Sequence, residues 1–269
     1  MTSVGAVLRV VPPTLREARR PHRLMERAYI YNRRMWVIIV SGFFEPLFYL
    51  LSIRIGISKL IGDIEVGGEI VDYASFVAPA LMAASAMNGA VYDSTMNVFY
   101  KLKHAKLYDA MLATPLVPGD VALGEIGWAL VRGLLYSIVF LGVMVGMGLT
   151  NSWWVILAIP ACSLVGLAFA SCGMAATTFM RGWSDFEFVP LVQMPMFLFS
   201  ATFYPASTYG GLGQALLQVS PLYHGVALVR AANDGVWSWS LLGHVGFLAA
   251  MSAGGLALAA ARLERLLVA

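Results

Sequence analysis

From Gly133 to Met180 the chain carries no charged side chain. About 20 apolar residues span the hydrocarbon core of a bilayer, so this stretch is long enough to cross twice. It divides at "TNSWW", residues 150–154, where polar and interfacial side chains interrupt it. A soluble domain cannot accommodate such a stretch when so little charge remains elsewhere to cover it. Charged residues make up only 12% of the chain, 59% is hydrophobic, and the mean hydropathy is +0.74, against a charged fraction near a quarter in soluble proteins. The chain therefore belongs in a membrane. Backbone groups in lipid must be satisfied internally, which permits only helices or a closed barrel. The runs are apolar throughout, without the in-and-out alternation of a barrel strand, so the fold class is all-α integral membrane.

Six runs of crossing length are present: 36–57, 73–92, 121–149, 153–180, 186–204 (interrupted by Pro190 and Pro195) and 240–261. Residues 35–269 read as one six-span transmembrane domain. Residues 1–34 read as a basic tail with an interfacial helix from about Arg16 to Arg34, kinked at Pro21, whose arginine stems lie along lipid. The segment 205–239 is apolar but cut by glycine, proline and charge, and reads as short re-entrant outer helices before the last span. Trp237 and Trp239 mark the outer interface.

Lysine and arginine collect on the cytoplasmic side of membrane proteins. Residues 1–35 hold eight arginines, 98–118 three lysines, 181–187 one arginine and the tail two, fourteen of the eighteen basic residues. The 62–72 loop is acidic, with Asp63, Glu65, Glu69 and Asp72. Both termini are accordingly expected inside a multi-pass protein of the inner (plasma) membrane. No cleavable signal core follows within the first 30 residues.

Charge within the spans is costly, about 2.5–3.5 kcal/mol per residue at the bilayer centre on the insertion scale. Glu45 lies nine residues past Trp36, about 14 Å along a helix, and is followed by Pro46; it must face protein or water, in a structural bond or in a pathway. Asp93, Glu125 and Arg132 fall near one inner boundary. The expectation is an ion pair between Asp93 and Arg132, shared with Glu125, that holds spans two and three together. Arg54 and Lys59 read as anchors at the outer end.

Between these spans lies "VFYKLKHAKLYDAMLATPL", residues 98–116. It is basic and helix-favouring, and its apolar residues do not gather on one stripe, which suits a solvated loop or a docking helix better than one lying in lipid. Leu102, Leu107, Tyr108, Met111 and Leu112 offer anchors for a partner, beside Lys103 and Lys106. Together with "FFEPLFYLLSIRIGI", the run from "YASFVAPALMAASAMNGAVYDSTMN" through "VPGDVALGE", and "SPLYHGVALVR", the chain resembles the membrane subunits of type-2 ABC exporters. It is most similar to permeases of the nodulation-factor lipooligosaccharide exporter kind. The resemblance implies that residues 98–115 form a coupling helix seated on a cytoplasmic ABC ATPase. ATP and Mg would be bound by that ATPase, and a second permease copy or a homologue would complete the pathway. It also implies that spans two and five face the dimer axis, with Met82, Met87, Tyr92, Met194, Phe197, Phe199 and Phe203 as a soft wall for an amphipathic cargo such as a glycolipid, lipooligosaccharide or drug.

The chain lacks GxxxxGK[ST] and so has no P-loop of its own. No cofactor is expected on it, nor a nucleic-acid partner. Cys162 and Cys172 lie about 15 Å apart along one helix, too far for a disulfide within it. His22, His104, His224 and His244 show no metal-ligand spacing, although His224 and Arg230 could meet an anionic headgroup on the outer side. No serine, histidine and carboxylate arrangement suggests a membrane enzyme. An ion-driven secondary transporter or channel, using Glu45, is the alternative to an ATP-driven exporter.

Overall fold

The structure, a computed structural model, describes residues 15, 17–33, 44 and 47–267. Trp36, Glu45 and the first part of the first apolar run lie outside those residues, as do Arg16 and Arg34. Helix α1, Pro21–Arg33, opens on its proline, while residues 18–20 are not helical. Proline at the first helical position gives up an N–H that would have had no partner. Pro21 therefore starts a helix, where a kink within a longer one was expected.

Helix α2, residues 47–61, runs through a π turn at Ile53–Ile57 and ends at Gly62. The acidic loop that follows is a β-hairpin, an exception to the all-helical expectation. Strand β1, Asp63–Val66, pairs antiparallel with β2, Glu69–Asp72, in the register Val66 to Glu69. Gly67 and Gly68 both adopt positive φ, +64° and +90°, the requirement of the two-residue turn whose twist matches its strands.

Helix α3 begins at Tyr73, where the Asp72 carboxylate accepts from the backbone N–H of Ser75 at 3.3 Å. It continues past Tyr92 through π turns at Asp93–Asn97 and Tyr100–His104. After α4, Leu107–Leu112, come α5, Pro118–Gly146, and α6, Trp153–Thr177. A 3-10 turn at Trp183–Glu187 leads into α7, Phe188–Leu198. Helices α8, Gly211–Val219, and α9, Pro221–Asp234, precede α10, Ser240–Leu267.

Among the described residues, four helices are long and apolar enough to cross a bilayer: α3 with its extension to His104, α5, α6 and α10. The fifth run gives the 11-residue α7, which contains Pro195 and follows the 3-10 turn at Trp183–Glu187. Helix α3 is central, packed by α5, α6 and α9, because its alanines let neighbouring backbones approach closely. Ala74, Ala78, Ala80 and Ala83 are fully buried there. The end of the bundle where α3 gives way to α4 is the elbow end, and the opposite one, beside β1 and β2, the hairpin end.

Candidate functional site

At the elbow, the Ala105 N–H donates to the Tyr100 carbonyl at 2.9 Å, five residues back. Lys106 then turns left-handed with φ +45°, a conformation that strains a residue with a Cβ. The helix stops there, and α4 leaves in a new direction. The expected coupling helix over 98–115 is thus two pieces, the tail of α3 and the six-residue α4, divided at Lys106.

Two ion pairs join α3 to α5 behind this break. Asp93 pairs with Arg132, their side chains only 5% and 11% exposed. Lys101 donates to both carboxylate oxygens of Glu125, at 2.9 and 2.7 Å. Glu125 therefore serves Lys101, where a share in the Asp93 pair was expected. The pairs sit about two helical turns apart and alternate in sign: acid then base down α3, facing base then acid when α5 is followed in the same direction. A slip of α3 by that amount would set Asp93 against Glu125 or Lys101 against Arg132, and repulsion would oppose it.

The Tyr108 side chain of α4 packs fully buried beside Glu125. Burial first, and the neighbouring carboxylate second, push its hydroxyl pKa well above the ordinary 10, against the opposing positive charge of Arg27 on α1. Helix α1 is seated on the same end of α5. Asp120, 2% exposed, accepts from the backbone N–H of Arg20 at 2.7 Å and that of Val117 at 3.2 Å. Gly124 makes the contact possible, since a Cβ there would lie 2.6 Å from that of Leu24.

An aromatic cluster fastens the Trp183–Glu187 turn to the end of α3. The His104 ring stacks on Trp183 at 5.0 Å, and buried Phe99 meets Phe186 edge-on at 5.0 Å. In the sequence this turn stands out only by the charge of Arg181.

Several expected roles change. Leu102 and Tyr108 are buried in the chain's own core, and Leu107, Met111 and Leu112 are half-buried; as inward-turned packing they leave Lys103, His104, Lys106 and Asp109 exposed. Met82 and Met87 are also buried, because α3 is enclosed by its neighbours, so neither lines an open wall. Tyr92, Met194 and Phe199 are exposed, whereas Phe197 and Phe203 pack edge to face at 5.3 Å. A hydrogen bond missed from the sequence joins this region: Gln193 Nε2 of α7 donates to Asn88 Oδ1 of α3 at 2.6 Å.

At the hairpin end His224 is buried, with Nδ1 2.7 Å from His244 Nδ1 and Nε2 2.9 Å from the Gln218 carbonyl. Both ring nitrogens are engaged, which leaves none for the headgroup considered above. Arg230 lies over the Phe76 ring at 4.1 Å and donates to the carbonyls of Phe76, at 3.3 Å, and Ala201, at 3.1 Å. Trp153, Trp154 and Trp237 form a chain of ring contacts there, at 4.3 and 5.7 Å. Cys162 and Cys172 are both free thiols. Among the described residues no three His, Cys, Asp or Glu side chains gather as a metal site would require.

Apolar helices of crossing length, two of them cross-braced at a charged elbow, are those of an integral membrane protein. The chain belongs to the ABC-2 type transporter family, whose model matches residues 22–233. It is similar to Nodulation protein J of Rhizobium leguminosarum bv. trifolii, 32% identical over 205 residues that cover 76% of this chain and 77% of that protein. Nodulation protein J of Sinorhizobium fredii is 30% identical over 195 residues, 72% of this chain and 73% of the relative. That of Rhizobium meliloti is 29% identical over 209 residues, 77% of each.

Proposed function

We propose that this chain is the permease subunit of an ATP-driven exporter, with six crossings, re-entrant outer helices and both termini in the cytoplasm of the inner membrane. A separate cytoplasmic ATPase, holding ATP and Mg, docks on the elbow, and two permease copies or a copy and a homologue enclose one pathway for an amphipathic or lipid-linked cargo. Family membership supports the transporter role. The observation that carries the coupling is the pair of ion bridges Lys101–Glu125 and Asp93–Arg132. A push on the exposed Lys103, His104, Lys106 and Asp109 surface passes through them to α3 and α5 together.

In this reading α1 lies along the cytoplasmic interface, where its exposed Tyr29, Ile30 and Tyr31 face lipid beside the arginines. The same push reaches the Trp183–Glu187 turn through His104 and Phe99, which couples α7 as well. The ion-driven alternative rests on Glu45, outside the described residues.

The test is purification of the chain together with any cytoplasmic ABC ATPase of the same cells. Reversal of both exposed lysines, Lys103→Glu with Lys106→Glu, is expected to weaken co-purification about tenfold or more, most strongly at low salt, while the permease stays folded in detergent. Undiminished co-purification, or transport by the lone permease in vesicles without ATP, would overturn the reading.

A further inference from the structure

The exposed faces of the crossing helices differ in chemistry. On α5 the outward side chains include Leu135, Ile138 and Val139, which suit lipid tails. On α3 the exposed position Asn88 carries a carboxamide bonded to Gln193 of α7. Asn88 lies fifteen residues beyond Tyr73, about 22 Å along the helix, so it remains within hydrocarbon depth, just short of the Asp93–Arg132 pair.

One hydrogen bond does not satisfy two amides. After Gln193 donates to Asn88 Oδ1, Asn88 keeps two N–H donors, and Gln193 keeps one donor and its carbonyl acceptor. Hydrocarbon cannot satisfy them, and a polar group left unmet there costs several kcal/mol. A face of this kind is suited to something that is not an acyl chain. Its neighbours narrow the choice. Tyr92, 58% exposed, stands one turn further along the same side of α3, and Met194, 65% exposed, adjoins Gln193. The pair itself is neutral. An anionic group would call for arginine or lysine, whereas neutral donors and acceptors beside an aromatic ring match a hydroxylated, uncharged group whose C–H face stacks on the ring.

We propose that Asn88 and Gln193 form the headgroup-recognition site of the pathway, taking an uncharged hydroxyl- or amide-bearing headgroup of an amphipathic molecule as it enters from the inner leaflet. The assignment rests on the exporter reading for its direction, but the binding site can be read without it. Met194 and Phe199 then line the way for the apolar part.

The complete chain is placed in nanodiscs of phosphatidylcholine carrying monogalactosyl diacylglycerol and diacylglycerol with matched acyl chains, and native mass spectrometry counts the lipids it retains. The wild-type chain is expected to favour the galactolipid about tenfold, the effect of one or two neutral hydrogen bonds. Asn88→Leu and Gln193→Met should each bring the ratio close to one, and the double variant should go little further, because either change breaks the pair. Absence of a preference in the wild type, or its survival in both variants, would overturn the site. So would variants that dissociate a wild-type dimer into single chains while keeping the preference, which would make this face a seam between copies. Should Asn88→Leu fail to fold, Gln193→Met alone gives the same reading. No ATPase enters the measurement, so failure to find an ATPase partner would sink the proposed function and not this result.

Discussion

The elbow end and the hairpin end hold their buried charged and titratable groups by different means. At the elbow, charge meets charge: Asp93 with Arg132 and Lys101 with Glu125. At the hairpin end Arg230 is held by two carbonyls and an aromatic face, and His224 by another imidazole and a carbonyl. Buried ion pairs fix register, because each wrong partner is repelled. Carbonyls and rings are available on every helix, so contacts with them can re-form after a shift. One end is suited to deliver a displacement and the other to yield to it.

The largest effect expected from breaking this contrast is at Asp93. Asp93→Arg places two guanidinium groups together with little access to water, at a cost of about 3–5 kcal/mol. Folded yield in detergent should collapse, and Asp93→Arg with Arg132→Asp should recover most of it. Failure of that rescue would mean the two residues act separately. Glu125→Gln comes next, weakening a charge-assisted bond by about 1–3 kcal/mol. The protein should still assemble, yet ATP hydrolysis by the complex should respond less to added cargo. Arg230→Met is smaller, about 1 kcal/mol, and should appear as faster hydrogen exchange at residues 201–203 with the elbow amides unchanged. Arg54→Ala removes an exposed bridge to Asp72, 2.9 Å long with side chains 41% and 33% exposed, and should change the thermal midpoint least, in keeping with under about 1 kcal/mol.

The sequence reveals the parts of this contrast that depend on charge within apolar runs. Asp93 and Arg132 interrupt such runs at similar depth, and their juxtaposition follows from the cost of leaving either alone. Lys101 escapes that logic because it falls in a basic stretch whose lysines all read as solvent- or partner-facing. Only the continuation of α3 past Tyr92 shows which of them turns back to Glu125. The resemblance alone puts Met82 and Met87 on a pathway wall, and because α3 is apolar on every side, periodicity cannot tell its enclosed face from its open one. Asn88 and Gln193 carry no charge, so nothing in the sequence sets them apart from their apolar neighbours. The hairpin is legible in "IEVGGEIV", with alternating strands around a Gly-Gly turn, whereas the acidity of the loop speaks to orientation and not to shape.

The seat of α1 bears on how the protein is made. Arg20 is bonded to Asp120, a hundred residues further on, and at about 5–20 residues per second a ribosome needs about 5–20 s to synthesise that interval. For that time the arginine-rich segment has no berth, and α3 is synthesised while it waits. Docking of α1 therefore cannot precede synthesis of the head of α5, and it becomes possible while α6 to α10 are still to be made.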